Sequence, residues 1–233
     1  MTEVTATVAQ LAQAQQLWHS SYTGVLSTHS QALPGYPFGS LIPLCRTPQG
    51  RPLLLLSHLA QHTQNLQANP CCALILLEKG EGDVQQLGRL TCLARAEAIE
   101  QTPTAWAEKF FLHFPDTRQY HEALNFRFFQ LRPQRFYFVG GFGAARWFDA
   151  SRLMPSQTFS TVDGHELLLQ AQAIYLESHR GLHDNTGGVT QIVGVDSHGI
   201  DLRTGKQLTR IQFESPADSV ETFLTTLRMT LNA

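Results

Sequence analysis

Charge is scarce in this chain and nowhere clustered. Asp, Glu, Lys and Arg make up 15% of the 233 residues, the net charge is −2, and Lys and Arg form no cluster. A nucleic-acid partner needs a basic stripe to neutralise phosphates, so that class is excluded. Long hydrophobic runs are missing as well. None approaches the ~18–20 residues of a membrane span, so no membrane partner is expected. The opening segment MTEVTATVAQLAQAQQLW has neither a basic n-region nor an apolar h-region, and a cytoplasmic protein is the expectation.

Cysteine is also sparse and carries no metal or redox spacing. The four are Cys45, Cys71, Cys72 and Cys92, with no C-x-x-C among them. All sit in apolar, strand-like stretches and read as reduced core thiols. The neighbours Cys71 and Cys72 should point to opposite faces of a strand. No G-x-S-x-G occurs, so no serine triad is assigned.

What is present is enough apolar residue, 42%, to fill a sizeable core. With so little charge, part of the surface is expected to be covered by a partner subunit. A helix is expected over residues 7–20, then strands at TGVLSTH, SLIPLC, PLLLLS, CCALILLE, RLTCLARAEAIE and QRFYFVGGFG. RLTCLARAEAIE alternates, with Leu90, Cys92, Ala94 and Ala96 on one face. Thr102 to about Leu124 reads as an aromatic-rich helix, and AARWFD as a short extended segment. Strands in close succession with few crossover helices suit an antiparallel barrel. The expected organisation is a β-rich domain over 1–150, a linker over 151–161, and a small α-β-β-β-α domain over 162–233.

The stretch LLLLSHLAQHTQNLQANP, Leu53 to Pro70, poses the sharpest question. With Ser57 as N-cap, residues 58–67 make a short helix that ends before Asn69-Pro70. Leu59, Thr63 and Leu66 then share a core-directed face, and His58, His62 and Asn65 a second one. Three readings stand side by side. A zinc site is disfavoured, because Leu59 stands where H-E-x-x-H has its Glu and no third ligand is evident. An anion pocket would use Ser57, the first-turn N–H groups, His62, Thr63 and Asn65. A capped polar connector is the plain alternative.

Other motifs are weaker. GGFGAAR, Gly140 to Arg146, fails both the dinucleotide and the phosphate-loop templates. Arg146 beside Trp147 suits a flat anionic ligand. GRLT places Arg89 and Thr91 on one strand face, where both can line a groove. His179 and His183, four apart, do not make a ligand set.

Taken in order, GYPFGSLIPL, GRPLLLLSHLAQHTQNLQANP, GRLTCLARAEAI and FYFVGGFGAARWF resemble one family. It is the haem-utilisation (HugZ-like) branch of the pyridoxamine 5'-phosphate oxidase-like split barrels. The resemblance runs from about Gly35 to Phe148. The segment from VGVDSHGIDLR onward is similar to the small α/β domain often appended to this branch. The resemblance implies an α+β protein with a six-stranded antiparallel split β-barrel, which dimerises with ligand sites at the dimer interface. It implies a small-molecule cofactor, either haem, which this branch degrades oxidatively, or FMN. Ser57, His62, Thr63 and Asn65 become cofactor-binding candidates on the phosphate side. Arg89 and Thr91 become groove candidates, and Arg146 and Trp147 lie near the interface.

Four departures weigh on the choice. The strand segment FGSLIPL has no cation where flavin oxidases carry an arginine, and Thr63 and Gln64 replace their Arg-Lys pair. The histidine-rich string of relatives is QAQAIY here, Gln170 to Tyr175, and no histidine closes the chain. The first expectation is therefore a haem-binding protein of the haem-iron-utilisation type, with oxidative haem degradation as the activity if it is an enzyme. Arg89 and Arg146 are its propionate candidates and His62 the nearest axial ligand. An FMN-dependent oxidoreductase is the second expectation, and a non-catalytic binding protein that keeps the fold is the third.

Overall fold

The computed structural model describes residues 3–81, 83–141, 145–154, 161–178 and 189–231. In chain order the elements begin with helix α1 (Glu3–Ser20) and strands β1 (Thr23–His29), β2 (Pro37–Pro43), β3 (Cys45–Arg46) and β4 (Pro52–Ser57). Helix α2 (Gln61–Ala68), strands β5 (Cys71–Leu77) and β6 (Arg89–Ala98), and helices α3 (Thr104–His113) and α4 (Arg118–Ala123) follow. Then come β7 (Phe126–Val139), β8 (Ala145–Asp149), α5 (Ala150–Leu153), α6 (Thr161–Ser178), β9 (Thr190–Asp196), β10 (Gly199–Thr204), β11 (Gln207–Gln212) and α7 (Val220–Leu231). The chain divides into two compact units. One is 1–102 with 118–154, and the other is 103–117 with 155–233. No described helix is long and apolar enough to cross a membrane.

The first unit is a curled antiparallel sheet in the order β2-β1-β5-β6-β7-β4-β3, with β8 on β7. Six of these strands have six or more residues, and they carry the split barrel; β3 is a two-residue pairing after Pro43 ends β2. The alternation of β6 holds: Leu90, Cys92, Ala94 and Ala96 are at most 8% exposed. They join Leu26, Leu74, Leu76, Phe136 and Phe138 in one core, which α1 closes with Ala14 and Trp18. Trp18 meets Phe136 edge-on, with centroids 4.8 Å apart.

The four leucines of β4 are all buried because both faces of that strand are covered. Leu54 and Leu56 enter the barrel core. On the other face, Leu55 pairs in register with Phe128. The His121 ring of α4 packs on Phe128 at 5.2 Å.

The expected long aromatic helix is broken. Pro115 opens a 3-10 turn, α3 and α4 are separate, and they fall in different units. Three cysteines are buried as expected, whereas Cys71 is only half-buried, on the outward face of β5. Burial pushes the Cys72 thiol up to about 12, with Cys71 adding to the shift.

In the second unit α6 and α7 share an apolar core with the β11-β10-β9 sheet. The turn of Asp196-Ser197-His198-Gly199 joins β9 to β10. A buried polar network ties α3 to this sheet. His113 Nδ1 lies 2.8 Å from the Lys109 carbonyl and its Nε2 3.0 Å from Asp201 Oδ2. Arg210 donates to Asp201 at 2.7 Å and to Asp196 at 2.5 Å. Burial alone would raise the Asp201 carboxyl, but Arg210 and His113 outweigh it and hold it well below the usual carboxylate range. Gly194 fits here because a Cβ would run into Asp201 and the His113 ring. The linker residues 155–160 and the pair His179 and His183 lie outside the described residues.

Candidate functional site

At the end of β4 the chain does not run straight into a helix. Ser57 Oγ accepts the Leu59 N–H at 3.3 Å, which makes a small turn, and α2 starts only at Gln61. Its N-cap is Ala60, without a side-chain cap bond, so Ser57 is not the cap that the sequence suggests. Leu59, read as core-directed, is 73% exposed; Leu66 is buried as expected. The delay follows from the tetrapeptide Ser57-His58-Leu59-Ala60, where the Ala60 N–H bonds back to the Ser57 carbonyl at 3.2 Å.

The polar residues of α2 then divide by role. His62 Nδ1 sits 3.1 Å from Ser40 Oγ on β2, while its Nε2 is buried with no partner among the described residues. Burial lowers the His62 pKa and favours its neutral ring. Thr63 is 2% exposed, and its hydroxyl is likewise unpartnered among the described residues. Asn65 is fully buried and occupied. Its Oδ1 accepts from the Gln31 N–H and from Gln61 Nε2, and its Nδ2 donates to Thr28 Oγ1, each at 2.9 Å. Asn65 is thus a clasp for the loop after β1 rather than an open ligand group.

The other four candidates lie elsewhere in the barrel. Arg89 and Thr91 share the outward face of β6, as expected of a groove wall, and Arg89 bonds the Gln85 carbonyl at 3.4 Å. Thr91, Tyr137 and Trp147 form one cross-strand row. Trp147 packs on Tyr137 at 4.8 Å. The cation above Trp147 is Arg135, at 5.3 Å, and not Arg146. Arg146 is next in sequence but on the opposite face, where it bonds Gln10 of α1 at 3.1 Å. Arg146 and Trp147 therefore do not face one ligand together. Of GGFGAAR, residues 142–144 lie outside the described residues.

A cleft that the sequence reading did not single out opens on the outward face, with a volume of about 700 Å³. Its walls include His29 from β1, Tyr36 from the β1–β2 loop, Cys71 from β5, Leu93 and Arg95 from β6, and Gln134 from β7. Arg95 donates to Cys71 Sγ at 3.3 Å. Thr28 also lines the cleft, and through Asn65 it links this wall to α2. On β1 and β2, however, Thr28, Leu26 and Ser40 fall on the inward phase of the pleat. His62 and Thr63 therefore lie behind β1, and His29 lies in front of it. The available signal was the alternation itself: His29, Cys71 and Arg95 each occupy the polar phase of a strand whose other phase is core.

Curled sheet, the closing helix α1 and the sheet order define a split barrel. Within that class the chain belongs to the CREG β-barrel family, whose family model matches residues 6–154. The motifs from Gly35 to Phe148 lie within that match, which bears out the resemblance read from them. The chain is 29% identical over 143 residues to the chloroplastic heme oxygenase HOZ of Arabidopsis thaliana, covering 61% of this chain and 44% of that one. It is 31% identical over 118 residues to the heme oxygenase HutZ of Vibrio cholerae, covering 48% of this chain and 66% of that one. It thus spans less than two thirds of either relative. Two solved structures share the fold over nearly the whole chain. A protein of unknown function from Agrobacterium tumefaciens superposes with a TM-score of 0.78 at 22% identity, covering 98% of both chains. A heme binding protein from Mycobacterium smegmatis gives 0.56 at 22% identity, covering 95% of this chain and 97% of that one.

Proposed function

We propose that this protein binds haem for haem-iron utilisation and that the outward cleft is the haem site. The observation that carries this reading is the character of the cleft. It joins apolar wall, including Ala73, Leu93 and Pro37, to one guanidinium, Arg95, within about 700 Å³. That volume lies inside the ~300–1,000 Å³ usual for small-molecule sites. Haem needs an apolar slot for its macrocycle, a cation for its propionates and an iron ligand. The two heme oxygenases among its relatives support the same reading. Titrating the protein with hemin tests it: a Soret shift saturating at one equivalent is expected, and no shift at micromolar protein refutes it.

FMN fits the rim less well. A phosphate dianion is best held by at least one cation. At the start of α2 the candidates are Ser57, Thr63 and a histidine whose neutral form is favoured by burial. Soaking with FMN should leave the protein colourless after desalting.

Two finer statements belong to the same reading. Hemin-loaded protein given ascorbate in air should lose its Soret band and pass iron to a ferrous chelator. A Soret band that persists restricts the protein to binding. The outward face also exposes Leu41 (77%), Leu77 (53%), Leu93 (39%) and Trp147 (47%), which supports a homodimer formed across it. Light scattering should give twice the 26.0 kDa chain mass.

A further inference from the structure

We propose that His29 is the axial ligand to haem iron in the outward cleft, with Arg95 holding a propionate two strands away. This rests on the haem reading and goes beyond it by naming the iron's partner.

The argument begins with register. Strands β1 and β5 pair Val25 with Ile75, Ser27 with Ala73 and Thr28 with Cys72. One step further along the same ladder sets His29 beside Cys71. Strands β5 and β6 pair Cys71 with Arg95. His29, Cys71 and Arg95 thus form a row across three adjacent strands, on one face, and all three line the cleft. Two strand spacings separate the ends of the row, about 9–10 Å. An imidazole at one end and a guanidinium at the other match a ligand with a metal at its centre and carboxylates at its edge.

Elimination within the cleft leads to the same residue. His29, Tyr36, Cys71 and Cys72 are its lining residues able to bind iron, and Cys72 is buried with its side chain in the barrel core. Cys71 Sγ already accepts from Arg95 at 3.3 Å. Tyr36 is carried on the β1–β2 loop, 67% exposed. His29 is exposed and its ring has no hydrogen-bond partner among the described residues, so both ring nitrogens are open to a ligand. His62, the nearest candidate from sequence, has its Nε2 buried behind β1. Neutral imidazole is the commonest protein ligand to metals.

The test is a hemin titration of the full chain, followed by absorption and electron paramagnetic resonance. The arms are wild type, His29→Ala, Cys71→Ser, Arg95→Gln and the exposed surface control His58→Ala. Circular dichroism confirms that each variant is folded. Wild type and His58→Ala should give an imidazole-ligated spectrum. His29→Ala should lose that signature and bind at least tenfold more weakly, and added imidazole should restore the Soret position. Arg95→Gln should weaken binding severalfold while leaving the Soret position in place. If His29→Ala keeps the wild-type spectrum and affinity, the ligand assignment falls and the haem reading stands. If Cys71→Ser loses the spectrum that His29→Ala keeps, iron sits on sulfur and the assignment is overturned. If Arg95→Gln binds like wild type, the propionate assignment falls. If wild type shows no Soret shift, both the assignment and the haem reading fall.

Discussion

Replacing Asn65 by Ala removes a clasp rather than a ligand, and the cost can be worked from its three bonds. Each carboxamide bond is 2.9 Å long, and the residue is fully buried. A hydrogen bond of this kind contributes roughly 0.5–1.5 kcal/mol net, and a buried group left unsatisfied costs roughly 1–3. Gln31 is an exposed residue and Gln61 half-buried, so both recover water and contribute at the low end. Thr28 is 3% exposed, but its hydroxyl keeps a 3.3 Å bond to the Phe38 carbonyl. The expected loss is about 2 kcal/mol, and a urea slope of ~1–3 kcal/mol/M turns that into a midpoint shift of roughly 1 M. Urea unfolding is the first assay. Hydrogen exchange at the Gln31 amide is the second, because the clasp predicts that this amide in particular loses protection. Hemin affinity should weaken as well, since the released loop carries Tyr36 of the cleft wall. A loss below about 0.5 kcal/mol with Gln31 still protected would refute the clasp, because even one of its three bonds contributes that much.

Other outcomes follow from the buried charges and thiols. Asp201→Asn should destabilise the second unit by about 3–5 kcal/mol, as expected when one partner of a buried ion pair is removed; denaturation followed by Trp106 fluorescence measures it. Because the folded Asp201 carboxyl lies below its unfolded value of about 3.9, its contribution is complete above that pH and is lost as pH falls through the folded value. Acid unfolding of this unit should therefore come at higher pH in Asp201→Asn than in wild type. His62 has the opposite charge type and a lowered pKa, so the folded ring binds fewer protons than the unfolded one below about pH 6.5. Barrel stability should fall between pH 7 and 5, and His62→Gln should flatten that slope in urea titrations. Iodoacetamide at pH 8 should alkylate Cys71 in the native protein, while Cys45, Cys72 and Cys92 react only after unfolding; mass spectrometry counts the adducts.

The strands were legible because each writes its burial into alternation, as Leu90, Cys92, Ala94 and Ala96 do. The start of α2 was not, because Ser57 satisfies the same backbone demand as an N-cap one turn earlier, through the Leu59 N–H. Asn65 was read as a cofactor-binding candidate, because its partners Gln31 and Thr28 come from a distant segment that only the fold brings near. Arg146 and Trp147 misled because adjacency on a strand means opposite faces. The cleft stayed hidden because His29, Cys71 and Arg95 are 42 and 24 positions apart in sequence, joined only by strand register.

The placement of α3 has a consequence for the order in which the protein is made. The helix leaves the ribosome early, within the segment that joins β6 to β7 of the barrel. Its His113 meets Asp201 only 88 residues later. At about 5–20 residues per second, that is a wait of roughly 4–18 s. The barrel can close during this time, while Leu112 of α3 still has no second core to pack against. A chain halted after Met154 would be fixed in that state, with its barrel residues complete and α3 without its sheet. The newborn protein therefore passes through an interval set by topology in which α3 is unpartnered, and it ends when β9 and β10 emerge.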